Sequence, residues 1–183
     1  VARCKICKTK FNAKYFLQKT CLNPVCLAEW AKQDRELKQK KSDKARKEAL
    51  KSAGDYIKEA QASINKYIRL RDKNKPCVSC GNNREHKIGL SGHRYDAGHY
   101  RSRGSAGHLR FNLFNIHKQC VKCNRENSGC VVEYRIELIN RIGLDRVERL
   151  EQDNEPRKFT IEYLKRVKSI FNKRFRLYEK KFR

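Results

Sequence analysis

The chain has 183 residues, with 45 Lys and Arg against 20 Asp and Glu, a formal net charge of +25. Only 38% of the residues are apolar and the mean hydropathy is −0.92, which argues against a large core and for one medium domain or two small ones. No run of 18 apolar residues occurs, so no membrane-spanning helix is expected, and the isoelectric point near 10.0 points to a polyanionic partner.

The first residues, Val1-Ala2-Arg3-Cys4, lack the apolar region of a secretion signal. The chain holds no Met, so the initiator is expected to lie outside these residues. Without a signal and with a lysine-rich composition, a reducing setting is expected, where clustered cysteines read as metal sites before disulfides. Of the nine cysteines, eight fall into two sets: Cys4-x2-Cys7-x13-Cys21-x4-Cys26, and Cys77-x2-Cys80 with Cys120-x2-Cys123. A short Cys-x-x-Cys turn places two sulfurs on one ion, so each set predicts a tetrahedral zinc site; incidental cysteines or a disulfide pair are the alternative. Cys130 stands outside both sets. His86, His93 and His108 lie at no ligand spacing and are not expected to bind zinc.

The first set predicts a zinc finger over residues 1–30. A basic helical linker is expected over 31–53, which holds nine basic and four acidic residues and almost no apolar face. It would lie along a polyanion or be merely solvated. Asp55 is the expected N-cap of a better helix with a stripe of Ile57, Ala60, Ile64, Ile68 and Tyr67, ending before Pro76. Two short strands joined by a glycine-rich loop are expected between residues 94 and 116, with a helix entering at the turn of residues 120–124. A helix over 131–142 closed by Gly143 and a shorter one near 145–150 follow. The tail, 151–183, is expected to be a basic helix. Its stripe of Leu164, Val167, Phe171, Phe175, Tyr178 and Phe182 suits a partner helix, a docked surface or a membrane surface.

The chemistry concentrates in residues 54–150. There, Cys77-x2-Cys80 is followed by Asp96-Ala97-Gly98-His99-Tyr100-Arg101, Leu109-Arg110-Phe111-Asn112, Asn115-Ile116-His117-Lys118-Gln119-Cys120 and Cys123-Asn124. Phosphodiester hydrolysis needs an activated water, a cation at the developing charge and a stabilised leaving oxygen. His99 is a suitable general base near neutral pH. Asp96 and Asn124 offer the hard oxygen ligands that a catalytic Mg²⁺ or Mn²⁺ prefers. Asn115, five residues before Cys120, is similar to the middle Asn of the HNH nuclease pattern, a resemblance that implies it ties the loop backbone and steadies the base. His117 is a second candidate, with a purely structural histidine as the alternative. Arg101, Arg103, Arg110, Lys118 and Lys122 are candidate DNA contacts, since arginine makes bidentate bonds to phosphate.

This layout resembles a zinc-braced HNH, or ββα-metal, nuclease. With the adjoining Ser128-Gly129, Tyr134-Arg135-Ile136-Glu137-Leu138-Ile139 and Arg141-Ile142-Gly143, it resembles the NinG (Rap) family of lambdoid-phage recombination proteins over nearly the whole chain. The site is also similar to that of the phage resolvase endonuclease VII. The expected fold is therefore α+β and mostly helical, an HNH core with an N-terminal four-cysteine finger and long basic helices. One departure stands out: Gly98 occupies the position before the base, where HNH sequences often carry a carboxylate or His.

The resemblance implies a metal-dependent endonuclease for Holliday junctions and D-loops in phage recombination, encoded by a phage and working in the host bacterial cytoplasm. Its cofactors would be two structural zinc ions and a catalytic Mg²⁺ or Mn²⁺. Symmetric cleavage of a four-way junction would call for a homodimer on branched DNA, with other phage recombination proteins as further partners and no membrane. A general HNH nickase on duplex DNA and a non-catalytic zinc-finger adaptor are the alternatives.

Overall fold

The computed structural model describes residues 1–82, 92 and 94–181; His86, His93 and Phe182 lie outside them. The chain divides into two compact units, Val1–Lys51 and Ser52–Arg183.

In the first unit, a two-stranded antiparallel ribbon pairs β1 (Ala2–Arg3) with β2 (Lys10–Phe11). One long helix follows, α1 (Pro24–Ala49). It starts where it does because Asn23 Oδ1 accepts a hydrogen bond from the Val25 N–H at 2.9 Å and Pro24 opens the first turn. Cys26 is its one buried residue. Finger and basic tract thus share a continuous helix, and the chain has no break at residues 30–31. With little to bury, α1 relies on pairs one turn apart: Asp34 with Lys38 at 2.7 Å, Glu29 with Gln33 at 2.8 Å, and Gln39 with Asp43 at 2.9 Å. Each such pair adds only slightly to the helix, because both partners face water.

The second unit opens with α2 (Ala53–Arg71). Ser52, not Asp55, is its N-cap. Ser52 Oγ accepts from the Asp55 N–H, while the Asp55 carboxylate accepts from the Ser52 N–H, a reciprocal capping box. An antiparallel hairpin of β3 (Tyr95–His99) and β4 (Ile116–Cys120) follows, with Asp96 opposite Gln119, Gly98 opposite His117 and His99 opposite Ile116. The helix expected at the end of β4 is a single π-type turn, Lys122–Glu126. The chain then passes through positive φ at Ser128, Gly129 and Cys130 before α3 (Val131–Ile142) begins. Gly143 closes α3 at φ +86, its N–H bonded to the Ile139 carbonyl at 2.8 Å. Next come α4 (Leu144–Gln152) and α5 (Ile161–Lys181).

The apolar stripe of α5 finds its partner inside this unit. Leu164, Val167 and Phe171 bury against Tyr56, Ala60, Ile64, Tyr67 and Ile68 of α2, with Ala97, Phe111 and Ile116 closing the core. Tyr67 meets Phe171 and Tyr178 at ring distances of 5.3 and 5.5 Å, and Lys66 Nζ lies 4.0 Å from the Phe175 ring centre. Residues 151–183 are therefore not set apart from the preceding segment: α4 runs through 151–152 and α5 shares the core of α2. A second core joins Val78, Tyr100, Ala106 and Leu109 to Tyr134, Leu138, Val147 and Leu150. The fold is α+β and mostly helical, as expected.

Candidate functional site

Both cysteine sets converge. The sulfurs of Cys4, Cys7, Cys21 and Cys26 lie within 4.8 Å of one another, as do those of Cys77, Cys80, Cys120 and Cys123. Cys7 Sγ and Cys21 Sγ are 3.7 Å apart, matching the edge of about 3.8 Å in a tetrahedron with Zn–S bonds of about 2.3 Å. Burial opposes ionisation of Cys4, but bonds from the backbone N–H groups of Cys21, Cys7 and Ile6 outweigh it and pull the thiol down to about 6. Burial and the neighbouring thiols push Cys26 up to about 12 and Cys120 to about 11, and raise Cys123 still further. Four thiols this close cannot all ionise without a cation between them, so the donor sets are consistent with two zinc sites. Cys130 belongs to neither cluster and packs beside the second.

The second cluster ties the hairpin to the turn behind it. The Cys120 N–H bonds to Cys77 Sγ at 3.3 Å and the Cys123 N–H to Cys120 Sγ at 3.4 Å. That brace carries Asn124 and Arg125 to the mouth of a polar cleft of about 590 Å³, lined by Asp96, His99, Arg103, Asn124, Arg125 and Asn65 among others. Asp96 is held on both oxygens. Its Oδ2 accepts from Asn124 Nδ2 at 2.9 Å and Arg125 Nε at 2.8 Å, and its Oδ1 from Arg125 Nη2 at 2.9 Å. Partial burial alone would raise the Asp96 carboxyl, but those bonds and the charges of Arg125 and Arg69 outweigh it and hold the group below the usual carboxylate range.

His99 is partly buried, and its Nε2 lies 3.1 Å from the Arg110 carbonyl. A carbonyl only accepts, so Nε2 carries the proton and Nδ1 carries the lone pair in the neutral ring. Burial lowers its pKa to about 4; the carbonyls of Arg110 and Ala97 oppose this, and the charges of Arg103 and Arg110 reinforce it. The imidazole is thus neutral at pH 7. Arg103 is exposed on the cleft rim and Arg110 is half-buried. Among the described residues neither makes an ion pair, and of the two Arg103 lines the cleft.

Asn115 is fully buried and acts on the backbone. Its Oδ1 accepts from the Arg101 N–H at 2.8 Å, and its Nδ2 donates to the carbonyls of Arg101 at 3.0 Å and Leu109 at 3.3 Å. The loop between β3 and β4 is closed by this amide. Gly98 has a steric cause. A Cβ there would lie 2.1 Å from Gln119 Oε1 and 2.9 Å from Gln119 Cβ. The buried Gln119 amide donates to Ser79 Oγ at 2.7 Å and the Gly129 carbonyl at 2.6 Å, so neither a carboxylate nor an imidazole fits before the base.

Three candidate residues stand elsewhere. Arg101 donates to the carbonyls of Leu150, Glu151 and Asp153 at 2.8, 3.2 and 2.6 Å and to Asn154 Oδ1 at 2.8 Å, closing the C-terminal end of α4 instead of reaching out to phosphate. Lys118 is buried, its Nζ bonded to the Lys73 carbonyl at 3.0 Å. His117 is buried away from the cleft between Arg71 Nη2 at 3.2 Å from its Nδ1 and the Phe114 carbonyl at 3.2 Å from its Nε2. Lys122 is exposed. His108 lies 2.6 Å from the Asp153 carbonyl and outside both cysteine clusters. Sequence reasoning passed over Arg125, Arg69 and Asn65; the position of Arg125 directly after Asn124 was the one available signal for it.

Hairpin, turn and cleft, with one four-cysteine cluster behind them and a second in a separate basic unit, define a protein with two cysteine clusters consistent with zinc sites and one polar cleft. The profile of the family described as Bacteriophage Lambda NinG protein matches residues 1–181, and the chain belongs to that family. Protein ninG of Escherichia phage lambda is 44% identical over 95% of this chain and 91% of its own length. The proteins of the same name from Salmonella phage P22 and Escherichia phage 933W are 42% and 38% identical, each over 95% of this chain and 92% of their own length. No solved structure gives a significant match. No helix among the described residues is long and apolar enough to cross a membrane.

Proposed function

We propose that the chain is a metal-dependent, structure-selective DNA endonuclease of HNH type that hydrolyses branched recombination intermediates, Holliday junctions and D-loops, in phage homologous recombination. The observation that carries this reading is the neutral His99, fixed through Nε2, in one cleft with the Asp96–Asn124 pair. His99 Nδ1 takes the proton of a water as its oxygen attacks phosphorus and the bond to the leaving oxygen breaks. A phosphate in the cleft raises the His99 pKa from about 4 toward the working range. Arg103 and Arg110 hold the phosphate oxygens, and Asn115 keeps the Arg110 carbonyl and its loop in place. Asp96 and the Asn124 amide oxygen are the hard donors that would hold Mg²⁺ or Mn²⁺ once Arg125 swings off the Asp96 carboxylate, and the ion would supply stabilisation of the phosphoryl charge when bound. Junction symmetry implies a homodimer working in the host bacterial cytoplasm with other phage recombination proteins.

Cleavage of a labelled four-way junction beside a linear duplex of the same sequence, with and without Mg²⁺, tests the reading. Paired metal-dependent incisions near the branch with the duplex intact support it. His99→Ala should lower incision by about 100- to 10,000-fold while binding persists. Equal cutting of both substrates would instead indicate a general nickase, and tight binding without incision an adaptor.

A further inference from the structure

The first 28 residues hold six Lys and Arg, at positions 3, 5, 8, 10, 14 and 19, and no Asp or Glu. From this cationic finger three consecutive apolar side chains project: Tyr15 is 69%, Phe16 95% and Leu17 75% exposed. The turn that displays them is braced. Gln18 Oε1 accepts from the Lys14 N–H at 2.7 Å, Gln18 Nε2 donates to the Thr20 carbonyl at 2.8 Å, and the Gln18 N–H donates to the Tyr15 carbonyl at 3.2 Å. Leu17 holds φ +62, a conformation that costs a non-glycine residue energy. A braced turn that tolerates this strain to expose two rings and a leucyl group matches a surface that is flat and apolar at its centre and anionic around it.

We infer that Tyr15-Phe16-Leu17 is a wedge that stacks on unpaired or unstacked DNA bases, while the lysines around it hold the flanking phosphates. The inference rests on the DNA-directed reading above and gives that reading a means of telling a branch from a duplex. Phosphate contact alone needs no apolar tip, and the bases inside an intact duplex present no free face. A lipid surface shares the anionic rim, but the tip is three residues of a turn and not the apolar face of an amphipathic helix.

The test uses the full zinc-loaded chain without Mg²⁺, so that binding is read apart from cleavage. The DNAs are a four-way junction and a bulged duplex carrying 2-aminopurine at the unpaired position, beside a perfect duplex. Tyr15→Ala and Phe16→Ala should each weaken binding to branched and bulged DNA on the order of 10- to 100-fold and abolish the 2-aminopurine response. Duplex affinity and both zinc equivalents should be unchanged, and Phe16→Trp should restore tight binding. Equal loss on all three DNAs, or no loss on any, overturns the wedge. So does binding of the wild type to phosphatidylcholine–phosphatidylglycerol vesicles that Phe16→Ala abolishes while DNA binding stays intact. A chain that binds branched DNA through the tip but makes no incision with Mg²⁺ sinks the nuclease reading and leaves the wedge standing. Normal incision with unaltered binding by Phe16→Ala sinks the wedge alone.

Discussion

Gly98 lets the hairpin and the Gln119 amide share one space. A methyl group at position 98 would meet Gln119 Oε1 at 2.1 Å, and Gln119 cannot turn away without giving up its buried bonds to Ser79 and Gly129. Gly98→Ala should therefore cost about 1–3 kcal/mol of stability, an overpacking cost. Urea unfolding checks it, and the cost should shrink in a Gln119→Ala background, because the clash would be relieved. His117 makes a pH prediction. Burial, reinforced by the Arg71 guanidinium beside Nδ1, lowers its pKa to about 4, while the Asp72 carboxylate and the Phe114 carbonyl pull weakly the other way. The unfolded value is near 6.5, so below that pH the unfolded chain binds more protons than the folded one. Stability is fully present above pH 6.5 and falls toward pH 4, by up to about 1.4 kcal/mol per pH unit for each such histidine. His99 behaves alike, so His117→Gln should remove roughly half of the acid loss attributable to these two rings, read as the difference between wild-type and variant unfolding at pH 7 and 5.5. Spacing singled out Asp96, His99 and Asn124, which line one cleft, and Asn115, which is buried behind it closing the loop. It could not show that Arg101, Lys118 and His117 face inward, because the carbonyls that claim them come from residues 73, 114 and 150–153.

At the scale of elements, periodicity showed which faces are apolar but not what covers them. The aromatic stripe of α5 is plain in sequence, yet its partner α2 lies about ninety residues earlier in the chain, and no local pattern pairs them. The reverse holds for α1. Its lysine-rich sequence lacks an apolar period, so only the Asn23 cap and the pairs one turn apart reveal one continuous helix. The cysteine clusters were legible because a Cys-x-x-Cys turn constrains its two sulfurs whatever surrounds it. Their placement in separate units makes them independent in experiment. Cys21→Ser should lose one zinc equivalent of two, with the Cys77 cluster keeping its metal, read by metal analysis of the purified variant. Two equivalents retained would remove the first cluster from the zinc account.

For the whole molecule, charge is the property that composition fixed and folding distributed. The unit Val1–Lys51 carries 15 Lys and Arg against 5 Asp and Glu, a net +10, and Ser52–Arg183 carries 30 against 15, a net +15. Both units are therefore cationic, as the proposed DNA binding through phosphates requires, and each phosphate so neutralised would add about −0.9 to the slope of log K against log salt. Lys40, Lys41 and Lys44 are exposed on α1, and α1 has almost no buried face to spend them on. Replacing all three by Gln should leave the fold unchanged and make the salt slope shallower by up to about 2.7. It should weaken junction and duplex binding by the same factor, since phosphate contacts carry no shape information. Affinities for both DNAs measured between 50 and 200 mM salt (roughly the range over which such contacts dominate) give the answer. An unchanged slope would mean that α1 points away from DNA. A loss confined to the junction would mean that α1 reads the branch itself, and the separation of charge-driven affinity from shape-driven choice would then fail.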